Sequence, residues 1–143
     1  MRKYLKLVVA TFGILLSIQL TGCGHISENV PDDGNFRTFL TRDLNTYFAS
    51  TSKKPISVEY DLLRNSPTQT GVAYPKYYAW VRISEGKTII EQGAVRLAAC
   101  DKTAFEVTDF VSKKQIQKDP DMIRSIFPAL LCPAIVTRAN AAD

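Results

Sequence analysis

Side chains that could act as acids, bases or metal ligands are few in this chain of 143 residues. Its one histidine is His25. A general base must be held about 3 Å from the proton it takes. His25 lies in the polar stretch 24–34 (GHISENVPDDG), where nothing fixes its geometry, and it reads as a solvated linker residue. No serine sits in a Gly-x-Ser-x-Gly elbow, and there is no phosphate-binding glycine loop or His-Glu-x-x-His pattern. The residues thus assign no catalytic group, no metal site and no cofactor. Carboxylates remain. Glu59 and Asp61 share one face of any strand that contains both, and Glu91, Glu106 and Asp109 lie on other segments, with Arg82 and Arg96 expected on neighbouring strands. Glu59, Asp61, Arg82 and Arg96 could form a polar pocket or a paired acid/base site. The alternative is the solvated face of a sheet, where opposite charges across strands add about 0.2–1 kcal/mol each.

A second set is aromatic, in Tyr74-Pro75-Lys76-Tyr77-Tyr78-Ala79-Trp80. On a strand Tyr78 and Trp80 point to one face while Tyr77 and Ala79 point to the other. One pair is expected in the core and the other partly exposed. Exposed Tyr and Trp supply large, rigid contact area at protein interfaces, so Tyr77, Tyr78 and Trp80 are the candidate binding surface; packing alone is the alternative.

Three cysteines complete the inventory: Cys23, Cys100 and Cys132. The first follows a positive start (Arg2, Lys3, Lys6) and an almost wholly apolar run over residues 7–20, too short to span about 30 Å of hydrocarbon comfortably. The run ends in Leu20-Thr21-Gly22-Cys23. This resembles the lipobox of bacterial lipoproteins, in which Leu, a small residue and Gly precede an obligatory Cys. The resemblance covers the leader alone. It implies cleavage before Cys23, a lipid on the Cys23 sulfur and an acyl chain on the new amino group, together enough for stable anchoring. An uncleaved N-terminal transmembrane helix ending in a chance cysteine is the alternative. With Cys23 lipidated, Cys100 and Cys132 form an even pair in a non-reducing compartment, read as one disulfide. Closing that loop of about 30 residues would add roughly 3–4 kcal/mol. Two buried free thiols are the alternative, and a zinc shell is excluded by ligand number.

The leader also changes the meaning of the charge. The full chain has 18 basic and 14 acidic residues, for a net +4, and a pI near 9.0. Three of the 18 basic residues are Arg2, Lys3 and Lys6, so the chain from Cys23 onward carries 15 against the same 14 acids. Such a balance leaves no electrostatic footprint for nucleic acid. With 45% apolar and 22% charged residues, and seven each of Gly and Pro, the chain is neither disordered nor collagen-like.

The elements that must position these residues follow from periodicity. Residues 1–22 are expected as the signal peptide, and 23–34 as the lipidated Cys with a flexible tether reaching about 18 Å. Residues 35–143 form a single α+β domain. Phe36, Phe39, Leu40, Leu44, Tyr47 and Phe48 predict a helix over 35–49 with Asn35 as N-cap. Its aromatic stripe covers a sheet, or in the alternative lies on a membrane. Strands are predicted over 56–63, 77–83, 88–99 and 103–111, with a hairpin turn at 84–87, a tight turn at 101–102 and Gly93 as a candidate bulge. Short connections demand an antiparallel meander. Asp119-Pro120 starts a C-terminal helical segment that Pro128 breaks and Pro133 ends, and residues 139–143 are expected to fray.

The layout, an N-terminal helix packed on a four-stranded antiparallel meander, is similar to the cystatin-like or nuclear-transport-factor-like arrangement. The Gln-Val-x-Val-Gly run of cystatins is absent, and no catalytic residues carry over. The expectation is an exported, lipid-anchored, non-enzymatic binding or accessory module of the bacterial cell envelope. Its partners are the membrane, through Cys23, and an envelope protein. Enteric members of the lipoprotein family that the leader resembles are retained at the inner membrane by Asp after the Cys; Gly24 stands there instead, which implies the outer membrane facing the periplasm in a diderm cell, and otherwise the outer face of the cytoplasmic membrane. Two other classes stay open: a small-ligand binder or enzyme on the concave face of the sheet, and an envelope inhibitor or immunity factor.

Overall fold

The computed structural model describes residues 29–69 and 71–142. The first helix, α1, spans Asp33–Ala49. Its N-cap is Asp32, extended in backbone, whose carboxylate accepts the Asn35 N–H at 2.9 Å. Asn35 is therefore the third helical residue, not the expected cap. A carboxylate at this end also meets the helix dipole. The described part of the span expected as tether is packed: Asn29 Nδ2 donates to the Ala73 carbonyl at 2.5 Å, Pro31 is buried, and Val30 packs against the same core as Phe36.

Four antiparallel strands follow in the order β1-β2-β3-β4: β1 Ser57–Leu62, β2 Lys76–Glu85, β3 Thr88–Asp101 and β4 Ala104–Ser112. Every connection between neighbours is local. The β2–β3 turn uses Gly86 at φ +61°, where a Cβ would be strained. Asp101 Oδ1 accepts the Thr103 N–H at 2.8 Å and closes the β3–β4 turn. The α+β class and the meander stand as predicted.

Both faces of the sheet are covered. On one side Leu40, Leu44 and Phe48 of α1 pack against Tyr77, Val81, Val95, Leu97 and Phe105. Phe36 stands edge-on to Tyr77 and Phe105, with ring centroids 5.0 and 4.9 Å apart. On the other side Tyr78, Trp80, Ala94 and Val111 pack against Ile116, Ile123, Phe127, Ile135 and Ala139. This second layer comprises α2 (Lys113–Lys118), a 3₁₀ turn (Pro120–Ser125) and α3 (Cys132–Asn140). The sheet is thus the middle of three layers.

The C-terminal layer departs most from expectation. Helix α2 starts earlier, on a capping box: the Ser112 N–H donates to Gln115 Oε1 at 2.9 Å while Ser112 Oγ accepts the Gln115 N–H at 3.3 Å. Asp119 does cap the segment led by Pro120, but that segment is a 3₁₀ turn of 6 residues. Pro133 opens α3 instead of ending a helix, because proline's missing N–H costs nothing in a first turn. Ala139 is fully buried, so the chain is packed to that point.

Gly93 is not a bulge. Register slips occur instead between Ile83 and Ser84 in the β2–β3 ladder, and between Arg96 and Leu97 and again between Ala99 and Asp101 in the β3–β4 ladder. Gly93 is a close approach: a Cβ there would overlap the Val111 carbonyl oxygen and lie 2.6 Å from Phe110 Cε2 and 2.9 Å from Ser112 Cα.

Candidate functional site

Cys23 and His25 lie outside the described residues. The aromatic set is described in full, and the structure corrects its expected role. Tyr77, Tyr78 and Trp80 are 4%, 5% and 3% exposed, so none of them forms a binding surface. With helices on both faces, the strand buries both alternating sets, which explains a continuous aromatic and apolar run. Their polar tips are held within the domain. Tyr78 Oη lies 3.3 Å from Thr68 Oγ1, and Trp80 Nε1 donates to Gln92 Oε1 at 3.3 Å. Burial, and then the Asp33 charge, pushes the Tyr77 hydroxyl pKa up.

The expected polar pocket divides into two separate clusters. Glu59 stands directly opposite Arg82 in the β1–β2 register. Arg82 Nε is 3.6 Å from Glu59 Oε2, and its Nη2 is 3.8 Å from Asp61 Oδ2. Arg138 of α3 reaches the same Asp61 oxygen at 3.1 Å. These side chains are 39–74% exposed. They form a solvated rim where α3 meets the sheet, with attraction weakened by water. Arg96 does not join them. Its partners are Asp109 across the β3–β4 ladder and the Ile126 carbonyl, which its Nη1 reaches at 3.2 Å.

The expected disulfide is not formed; Cys100 and Cys132 are both free thiols. Each sulfur is engaged locally. Cys132 Sγ faces the carbonyls of Phe127 and Pro128 at 3.8 and 3.5 Å, within the turn leading into α3. Cys100 Sγ lies 3.6 Å from Glu106 Oε2 across the ladder. Burial first, and Glu106 second, push the Cys100 thiol pKa up. Among the described residues no group of three His, Cys, Asp or Glu side chains could hold a metal ion.

The most exposed apolar feature of the sheet is one that the sequence reading passed over. Strand β4 pairs with β3 only from Gly93 onward, whereas β3 begins at Thr88. Ile89 and Ile90 in this overhang are each 47% exposed. On the α1 side Ile90 joins Tyr47, Phe48, Ile56, Ile83 and Phe110 around a groove of about 410 Å³. On the α2 side the overhang residues 89–92, Glu91 among them, line a second groove of about 250 Å³ with Lys113, Lys114 and Gln117. The sequence signal was available in Ile89-Ile90, which breaks the alternation of a half-buried strand, and in Lys113-Lys114.

No protein-family model, curated protein or solved structure matches the chain. The candidate surface therefore rests on its own geometry. A further groove of about 600 Å³ between the 3₁₀ turn and α3 is lined by Pro120, Arg124, Cys132, Pro133 and Val136. Its charged wall is self-satisfied, with Arg124 Nε on Asp121 Oδ1 at 2.8 Å. No helix among the described residues is long and apolar enough to cross a membrane.

Proposed function

We propose that this chain is an exported lipoprotein, held to a membrane through lipid on Cys23, whose domain works by binding an envelope protein and not by catalysis. The observation that supports this best is the placement of the open end of β3. Asn29 joins the domain beside Ala73, near the start of β2 at Lys76. The apolar overhang adjoins the far end of β2 at Glu85. A strand of this length spans about 30 Å, so the exposed isoleucines lie at the end of the sheet opposite the point where Asn29 joins the domain. The carboxylates named as acid/base candidates are exposed and engaged with arginines. Helices cover both sheet faces, including the one on which a small-ligand site was envisaged. By the rule drawn from Gly24, the membrane is the outer one in a diderm cell.

Mass spectrometry of the mature amino terminus tests the anchor. A lipid-modified Cys23 at the terminus is expected, and a chain that retains Met1 overturns it. The Cys23→Ser chain should leave the membrane pellet on fractionation. For the binding role, a photo-crosslinking residue at Ile90 should capture a protein in intact cells while one at Glu59 does not. The reverse pattern removes the overhang as the binding surface.

A further inference from the structure

We infer that the open end of β3 accepts an extended acidic segment of a partner protein as an added strand. This rests on the binding role proposed above and specifies its mode. A strand directs its backbone N–H and C=O groups alternately to both sides. Residues 88, 89 and 91 pair with β2 on one side. On the other, β4 stops at Ser112, opposite Gly93, and the chain turns into α2. Among the described residues no strand occupies that second side of residues 88–91.

The register decides what each face of an added strand would meet. The slip between Ile83 and Ser84 leaves Ile90 without an opposite residue on β2. Ile90 lines the α1-side groove with Tyr47 and Phe110, Ile89 and Ile90 together line the α2-side groove with Lys113 and Lys114, and Glu91 borders both. The α1 side of the seat is mainly apolar, with Thr51, Ser52 and Glu91 at its border, and the α2 side sets Lys113 and Lys114 against the single acid Glu91 over an isoleucine base. An occupant that satisfies both alternates apolar and acidic residues with period two.

Charge selects between occupants. Lys87 precedes the overhang and Lys114 lies on the first turn of α2. Neither has a carboxylate within ion-pair distance among the described residues, and Lys113 Nζ donates to the Ala141 carbonyl at 2.9 Å. Glu91 is the acid within the overhang. A second copy of the chain, paired edge to edge, would bring its own lysines against these. Like charges oppose that. Lysine at an edge and a bulge are also the devices by which strands avoid indiscriminate pairing. A partner of opposite charge turns the same lysines into an attraction.

The test uses the isotope-labelled full-length chain in detergent micelles and three peptide probes. These are an alternating valine–glutamate peptide, its valine–lysine counterpart, and the acidic peptide N-methylated at alternate residues to block backbone pairing. Amide shifts and exchange protection at residues 89–91 are expected with the acidic peptide alone. The double variant Lys87→Glu, Lys114→Glu alters exposed groups only, and should weaken binding about tenfold. Strand addition is overturned if these amides stay unmoved or if the N-methylated peptide binds equally. Equal binding of the lysine peptide overturns the charge preference. The same shifts arising with protein concentration alone assign the edge to a second copy. Loss of peptide binding while Ile90 crosslinks persist in cells removes strand addition and leaves the binding role standing.

Discussion

Arg96 and Asp109 face each other across the β3–β4 ladder, with Nη2 2.6 Å and Nε 2.7 Å from the same Oδ2 oxygen. The register slip beside Arg96 makes this possible. It adds one residue to β4, so that Thr108, whose hydroxyl oxygen accepts from Arg96 Nε at 3.1 Å, and Asp109 both reach the arginine. Nη1 meanwhile holds the Ile126 carbonyl, just past the 3₁₀ turn. One guanidinium thus ties the strand pair to the helical layer. Arg96→Met and Asp109→Asn are each expected to cost about 2 kcal/mol, since each leaves a half-buried partner unsatisfied. In urea unfolding, the double variant should cost clearly less than the two singles combined. Strict additivity would show that the clamp is not coupled.

The Glu59–Arg82 pair is the contrast. It is direct in register, yet separated by 3.6 Å and open to water. Glu59→Gln and Arg82→Gln should each change stability by less than about 1 kcal/mol. A larger loss by the same urea titration would mean that this rim is structural.

Gly93→Ala is expected to be severe. Two of the three atoms that a Cβ would crowd, the Val111 carbonyl oxygen and Ser112 Cα, are backbone and cannot rotate aside. The cost should be about 3 kcal/mol, read as a lowered Tm. Amide exchange in residues 110–112 should quicken more than in β1. A variant as stable as the parent would contradict the packing at this crossing.

The cysteines predict a pH profile. Thiolate is the form that reacts with alkylating reagents. Burial and Glu106 hold the Cys100 pKa above the ordinary thiol range, so its alkylation rate should reach half-maximum at a higher pH than that of an exposed thiol. Glu106→Gln removes the second cause and keeps the first. It should shift the profile to lower pH without restoring a fully exposed thiol. Peptide-resolved mass spectrometry follows the rate, and an unchanged profile would dismiss the carboxylate's influence.

Thiol counting checks the absent bridge. Unreduced protein unfolded in denaturant should show both Cys100 and Cys132 as reactive. A chain in which neither reacts contains the disulfide after all.

Much of the scaffold was legible because it is written in local periodicity. The stripe from Phe36 to Phe48 and the turns at Gly86 and Asp101 follow from the spacing of apolar residues and from turn chemistry. The strand limits shifted by only one or two residues. The Asp119 cap was legible from its own chemistry, whereas the segment it opens ends at Ser125, ahead of the expected break at Pro128. Local capping also explains two errors: Asp32 is the better-placed acceptor than Asn35, and the Ser112–Gln115 box was present in the sequence but masked by its position at the end of a strand.

The site was far less legible. The sequence by itself determined an α+β meander, a Leu20-Thr21-Gly22-Cys23 run that resembles a lipobox, and the absence of any familiar catalytic motif. Tertiary structure decided which side chains those elements bring together. It folded a second helical layer over the face carrying Tyr78 and Trp80, which buried the aromatic surface that alternation alone left half exposed. It placed Arg96 with Asp109 and Ile126 rather than with Glu59 and Asp61. It kept Cys100 and Cys132 apart, and it ended β4 opposite Gly93 so that β3 runs on with β2 alone beside it. A residue's period reports which face of its own element it occupies. What covers that face depends on packing between segments distant in the chain, and that is settled only when the layers close.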